Sequence, residues 1–194
     1  MRIVAVILSG VLASATALAQ QSVAPPPRPP ADKPAGPTIE VTMKFIEDKI
    51  NEIGTVTIAG YVHDSANDTD GVQKISATFS NAVADAGACT LGYHRLVISN
   101  GQTAYNENVF VNLRDVQSIA VLTDAQDWQM YLARTGDATK TVRDVPEIYV
   151  LNIKLPKGVD HPIRFYEQDM ADRVAKALVH AVELCGGGSK PEPF

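Results

Sequence analysis

Cys89 and Cys185 are the only cysteines of this 194-residue chain, and what they can do depends on the compartment in which it folds. Arg2 gives a small positive start, Ile3 to Leu18 is an apolar run, and Ala17-Leu18-Ala19 has the small-x-small pattern that signal peptidase reads. The expectation is a signal peptide over residues 1–19, a mature chain starting at Gln20, and export to the periplasm or the extracellular space. The competing reading is an uncleaved anchor, but the run is short for a span and contains Ser9, Gly10, Ser14 and Thr16. In an oxidising compartment a minimal, even pair of cysteines reads as one disulfide, with two separate buried thiols as the alternative. Two distant thiols without a CxxC or HxxxH spacing fall short of a metal site. Closing so long a loop would stabilise the fold by about 4–5 kcal/mol in the chain-entropy model.

Residues 20–38 hold seven prolines in nineteen positions. Proline lacks a backbone donor and fixes φ, so this stretch reads as an extended, solvated, disordered linker. Pro25-Pro26-Pro27-Arg28-Pro29 also has the form of a ligand for aromatic-lined grooves, but a tether is the simpler use. A short tail, residues 189–194, ends the chain. Between them, 39–188 is long enough for one well-cored domain. Without the leader the chain has 16 basic and 22 acidic residues, a formal charge of −6. No basic run occurs, which excludes the clustered Lys and Arg that nucleic-acid binding needs.

Thr38 is an N-cap candidate for a helix that stops at Gly54. Ile39, Met43, Ile46, Ile50 and Ile53 recur at spacings of four and three and share one face. Val41 and Phe45 lie on another face, available to a second surface: a partner, a second copy in a homodimer, or another part of the same molecule. A strand over 40–46 is the competing assignment, since Val41, Met43 and Phe45 also alternate.

From Thr55 the period changes to two. Strands are expected at 55–64, 74–84, 88–99, 115–123, 147–155 and 162–166, with a further short one near 107–113. Turn-formers such as Asn67–Gly71 separate them, and Asn100-Gly101 is a hairpin turn whose residues both tolerate positive φ. A short helix is expected between Asp124, as its cap, and Arg134, with Trp128 and Leu132 on one face. The last helix is expected from an Asp169 cap to Cys185, ended by Gly186-Gly187-Gly188. Met170, Val174, Ala177, Leu178, Ala181, Leu184 and Cys185 fall on its apolar side, so the Cys185 sulfur points inward toward Cys89 on a strand.

The fold class is therefore α+β: an antiparallel sheet or partly open barrel of about six or seven strands between an N-terminal and a C-terminal helix. Consecutive antiparallel strands closed by an amphipathic helix resemble a pleckstrin-homology-like (PH-like) barrel, whose final helix plugs one open end. The stretches VTMKFIEDKINEIG, YVHD, LRDVQSIAV and RVAKALVHAVELCGGG are similar to segments of uncharacterised bacterial exported proteins, over residues 39–188. The resemblance implies a fold and carries over no activity, cofactor or binding residue. The long leading helix departs from the plain superfold, and a cone-shaped fold of the nuclear-transport-factor type is the runner-up.

His63-Asp64 with Asp68 and Asp70 is the strongest-looking constellation. A calcium loop with Gly71 as its turn glycine would need ligands where Ala66 and Ala77 stand, so the motif fails. Asn67-Asp68-Thr69 matches a glycosylation acceptor, a triplet that arises by chance. His94, between Tyr93 and Arg95, would serve a ligand if it pointed into a barrel mouth. No nucleophile elbow, HExxH, Walker loop or GxGxxG occurs. The sequence thus reads as an exported, non-catalytic binding module for an unknown protein or small apolar ligand. Its candidate residues are Val41, Phe45 and His94; it has no cofactor, no metal and no membrane span after cleavage. The alternative is a small secreted hydrolase built on His63, Asp64 and His94.

Overall fold

The computed structural model describes residues 36–136, 139–143 and 146–188, with the backbone alone at 142–143. The chain divides into two units, Met1–Ala35 and Gly36–Phe194. The expected signal peptide, most of the proline-rich linker and the 189–194 tail lie outside the described residues.

Helix α1 (Ile39–Ile53) begins where Thr38 Oγ1 accepts from the Val41 N–H, and it ends at Gly54 with φ 65°. The strand alternative over 40–46 is therefore corrected, because the cap and the three-four spacing outweigh a short alternation. Met43, Ile46 and Ile50 are buried, and Ile39 and Ile53 pack at the edge of the same cluster.

Strands β1 (Gly54–Asp64), β2 (Thr69–Asp85), β3 (Thr90–Ser99) and β4 (Gln102–Asn112) form an antiparallel meander. The β3–β4 hairpin turns on Asn100 and Gly101, at φ 49° and 80°. Asn100 also ties that turn to β2: its Oδ1 accepts from the Lys74 N–H and its own N–H donates to the Lys74 carbonyl, both at 2.8 Å. A bulge between Ser80 and Val83, with Asn81 at φ 54°, breaks the β2–β3 register. Helix α1 satisfies the backbone groups that the bulge leaves unpaired. Asn51 Oδ1 accepts from the Ala82 N–H, Asn51 Nδ2 donates to the Ala82 carbonyl, and Glu47 accepts from the Ala84 N–H. Two polar residues thereby dock α1 on β2.

A 3₁₀ turn (Leu113–Asp115) leads to β5 (Ser118–Thr123), then to helix α2 (Asp124–Thr135), strand β6 (Lys140–Arg143), strand β7 (Tyr149–Lys154), β8 (Asp160–Phe165) and α3 (Gln168–Leu184). The strands form two open antiparallel sheets, ordered β4-β3-β2-β1-β6 and β5-β7-β8. The α+β class with antiparallel sheet and terminal helices is as expected, but among the described residues eight strands in two unclosed sheets replace the one sheet or partly open barrel of about six or seven. β6 was missed because a four-residue strand offers too little alternation to read. The cap of α2 is Thr123, not Asp124: Thr123 and Gln126 form a reciprocal capping box, which frees Asp124 to turn inward. Glu167, not Asp169, occupies the N-cap of α3, and its side chain makes no capping bond.

One core runs between the sheets and the two long helices, from Met43 and Ile46 through Phe79, Leu91 and Val111 to Leu151, Ile163 and Leu178. On α3 the buried set is Ala171, Val174, Leu178, Ala181 and Val182, while Leu184 is 49% exposed. The apolar arc is thus rotated from the expected one, because α3 is wedged between α1 and the second sheet. Cys185 closes the arc and is bonded to Cys89, with Cα atoms 5.9 Å apart. Cys89 sits in the β2–β3 turn at φ 59° rather than on a strand.

The bond fastens the end of α3 beside the turn that starts β3. Cys185→Ser should therefore lower the melting temperature by about 10–20 °C, given about 4–5 kcal/mol for a loop of this length. Unfolding scans of the oxidised protein and the variant test this, and coincident transitions would refute it.

Candidate functional site

The C-terminal half of α1, the end of β8 and the first turn of α3 meet around a cleft of ≈ 200 Å³. Ile53, Phe165, Met170 and the Tyr166 ring supply its apolar surface; Lys49, Glu52 and Glu167 stand at its rim. Lys49 and Glu52 pair at 2.6 Å across one helical turn. The Tyr166 hydroxyl accepts from the Thr57 N–H at 2.9 Å and donates to the Thr55 carbonyl at 3.5 Å. An otherwise exposed aromatic ring is thus pinned to β1 as a wall of the cleft. Alternation on β8 turns Phe165 to the core side, and Ile53 ends the buried face of α1.

A second polar assembly lies where α2 meets β8 and the inner face of the β1–β2 hairpin. Arg164 on β8 is clamped by two carboxylates of α2: Nε donates to Asp124 Oδ1 at 3.0 Å and Nη2 to Asp127 Oδ2 at 3.3 Å. All three side chains are largely buried. Burial pushes the Asp127 carboxyl above its ordinary range; the Arg164 guanidinium pulls the other way, and the Asp124 carboxylate adds to the rise. One guanidinium serves two carboxylates, so its attraction does not offset the lost hydration. Arg134 and Asp160 pair at the outer edge of this group.

A third polar cluster faces the core from β3. Arg95 is buried, pairs with Glu107 on β4, and lies 4.8 Å from the centre of the Tyr105 ring. The neighbouring Tyr93 hydroxyl is buried without a hydrogen-bond partner among the described residues, and burial pushes its pKa up. His161 on β8 is held below its ordinary value by burial and then by the Arg95 charge, which favours the neutral imidazole.

The residues singled out in the sequence are scattered by this geometry. His94 lies on the opposite face of β3 from buried Tyr93 and Arg95, so it faces away from the space between the sheets. Its Nε2–H donates to Asn106 Oδ1 at 2.9 Å. His63 donates to Asp70 at 3.0 Å across the β1–β2 ladder, and Asp64 turns away to accept from the Ala66 N–H and Asn67. The Ala66 bond comes first among the causes that hold the Asp64 carboxyl below its usual range. Asp70 lies opposite His63 and Ser80 opposite His94. Ten residues of β2 at ~3.3 Å each separate the two histidines by roughly 30 Å. His63, Asp64 and His94 therefore do not converge.

Phe45 is half-buried against the core, with the Arg173 guanidinium of α3 5.5 Å from its ring centre. Val41 remains outside, 60% exposed. Of the second apolar face of α1, Phe45 is thus met by α3 of the same molecule, whereas Val41 is left open. The sequence reading missed the cleft residues Phe165, Tyr166 and Met170, although the aromatic pair at the end of a strand-like run was visible. No family model matches the chain, and no curated protein or solved structure is significantly similar to it.

Phe45→Ser should destabilise the fold by about 2 kcal/mol, less than the loss of a fully buried ring. It should leave the size in solution unchanged; a smaller assembly with unaltered melting would show that Phe45 serves a partner instead. Asp127 offers a pH test. Its folded pKa lies above the unfolded one, so its contribution to stability is fully present below about pH 4 and is lost as pH rises through the folded value. Asp127→Asn fixes a neutral side chain. From about pH 4 toward neutrality, the unmodified protein should lose stability relative to the variant. Parallel stability–pH curves would show that Asp127 ionises normally.

Proposed function

We propose that this protein is an exported, non-catalytic binding module whose α1–β8–α3 cleft takes one apolar group of a protein partner or small ligand. The observation that carries the reading is the ≈ 200 Å³ cleft, floored by Ile53, Phe165 and Met170 and walled by a fixed Tyr166. That volume suits one bulky side chain rather than a whole cofactor, since drug-sized sites run from about 300 to 1,000 Å³. A rigid aromatic wall loses little side-chain entropy on binding, which favours its use in recognition. Export rests on the leader-like residues 1–19 and is supported by the Cys89–Cys185 bond. No helix among the described residues is long and apolar enough to cross a membrane.

The PH-like reading of the fold draws support from chain order: a four-strand meander, a three-strand antiparallel sheet, then a helix packed on the second sheet. The leading helix α1 and the α2–β6 excursion are additions to that plan. The hydrolase alternative has no convergence of His63, Asp64 and His94 behind it.

The neutral fluorescent probe N-phenyl-1-naphthylamine should bind the mature protein saturably. Met170→Lys, which puts an ammonium at the cleft, should weaken it about tenfold, equivalent to about 1.4 kcal/mol, without lowering the melting temperature. Equal affinity in both proteins would place the probe elsewhere and remove the support for this cleft.

A further inference from the structure

Beneath α2, well along β1 from the cleft, Ile58, Val62, Gln73 and Ile75 of the β1–β2 hairpin face Asp124 and Trp128 across a pocket of ≈ 10 Å³, and the Gln73 amide N–H is already given to Ser99 Oγ at 3.2 Å. Asp124 is 2% exposed, and its Oδ1 is taken by Arg164. Its Oδ2 is buried with no hydrogen-bond partner among the described residues, and so is Trp128 Nε1. An orphaned carboxylate oxygen and an orphaned indole N–H beside one pocket are costly to leave unmet.

We infer that this pocket is a binding site for a hydroxyl group of a neutral polyol or saccharide. The incoming group has to donate to Asp124 Oδ2 and accept from Trp128 Nε1. A hydroxyl does both. An ammonium or guanidinium only donates, and a carboxylate or phosphate only accepts and is repelled by two aspartates that share one arginine. An amide has the right polarity, but a pocket of ≈ 10 Å³ admits a group no larger than a single water, which a hydroxyl matches. The carbon skeleton stays outside this pocket, against the partly exposed side chains of Val62, Ile75 and Trp128 at its mouth.

Trp128 is the chain's single tryptophan, so its indole N–H gives one resonance that reports on this pocket alone. The mature, oxidised protein is titrated with glycerol, myo-inositol and D-glucose, and with dioxane as a hydroxyl-free control. At least one polyol should move the indole resonance saturably while dioxane leaves it in place. Asp124→Asn should weaken that binding about tenfold or more, as expected for a hydrogen bond to a charged group. Should that variant fail to fold, Val62→Phe fills the pocket from the strand side, leaves the ion cluster intact, and should abolish the shift. An indole resonance unmoved by all three polyols, or moved equally by dioxane or in Val62→Phe, would mean that the pocket holds a structural water only and would overturn the inference. None of these outcomes depends on the α1–β8–α3 cleft.

Discussion

The apolar stripe of α3 is the constraint on which the rest of this domain depends. Ala171, Val174, Leu178 and Ala181 have no exposed surface, and the helix that carries them touches α1, β5, β7 and β8. Small residues at 171 and 181 let neighbouring backbones come close, and larger ones at 174 and 178 fill the space between them. The two sheets share no ladder, so their relative placement rests on this common packing and on a few ties. Among those ties are the Cys89–Cys185 bond at one end of α3 and the Tyr166 hydroxyl on β1 near the other. His180 adds a further tie, donating to the Pro37 carbonyl at 3.0 Å and holding the entry to α1 against α3. A helix with this many obligations tolerates little change in its buried stripe.

Polar residues do unusually specific work in this fold. Asn51 and Glu47 complete the backbone of the β2 bulge, and Arg164 holds α2 by gripping two aspartates. The first arrangement meets backbone groups that water would otherwise have to serve, so it adds stability directly. The second takes three charges largely out of water, and its net contribution to stability is small or negative. Its use lies in position: a bidentate guanidinium fixes the first turn of α2 relative to β8, which an apolar contact of the same size would do less specifically.

How far the sequence revealed this structure follows from the range of each interaction. The Thr38 cap, the isoleucine face of α1, the Asn100-Gly101 turn and the paired cysteines all depend on near neighbours or on chain-wide counts, and these were readable. The division into two sheets was not, because alternation marks a strand without naming its partner. Asp124 was read as a cap because an aspartate before a helical run usually is one. Thr123 has the same capability and has Gln126 three residues on, and Arg164, forty residues away, draws Asp124 inward. The cleft was hidden for the same reason: Ile53 and Met170 are 117 positions apart, and no local pattern joins them. His94 illustrates the opposite failure, where a chemically suggestive residue sits on the wrong face of its strand.

Strand β1 runs past both the α1–β8–α3 cleft and the pocket under α2. Its first residues carry the Tyr166 hydroxyl that fixes the wall of the cleft, and its later ones, Ile58 and Val62, line the pocket under α2. The strand is held on one side by the full β2 ladder and on the other, among the described residues, by β6 over Tyr61–Asp64. Thr57 donates to the Tyr166 hydroxyl while its neighbour Ile58 lines the pocket under α2, so adjacent residues of one strand support both places, and alternation sends them to opposite faces of the sheet.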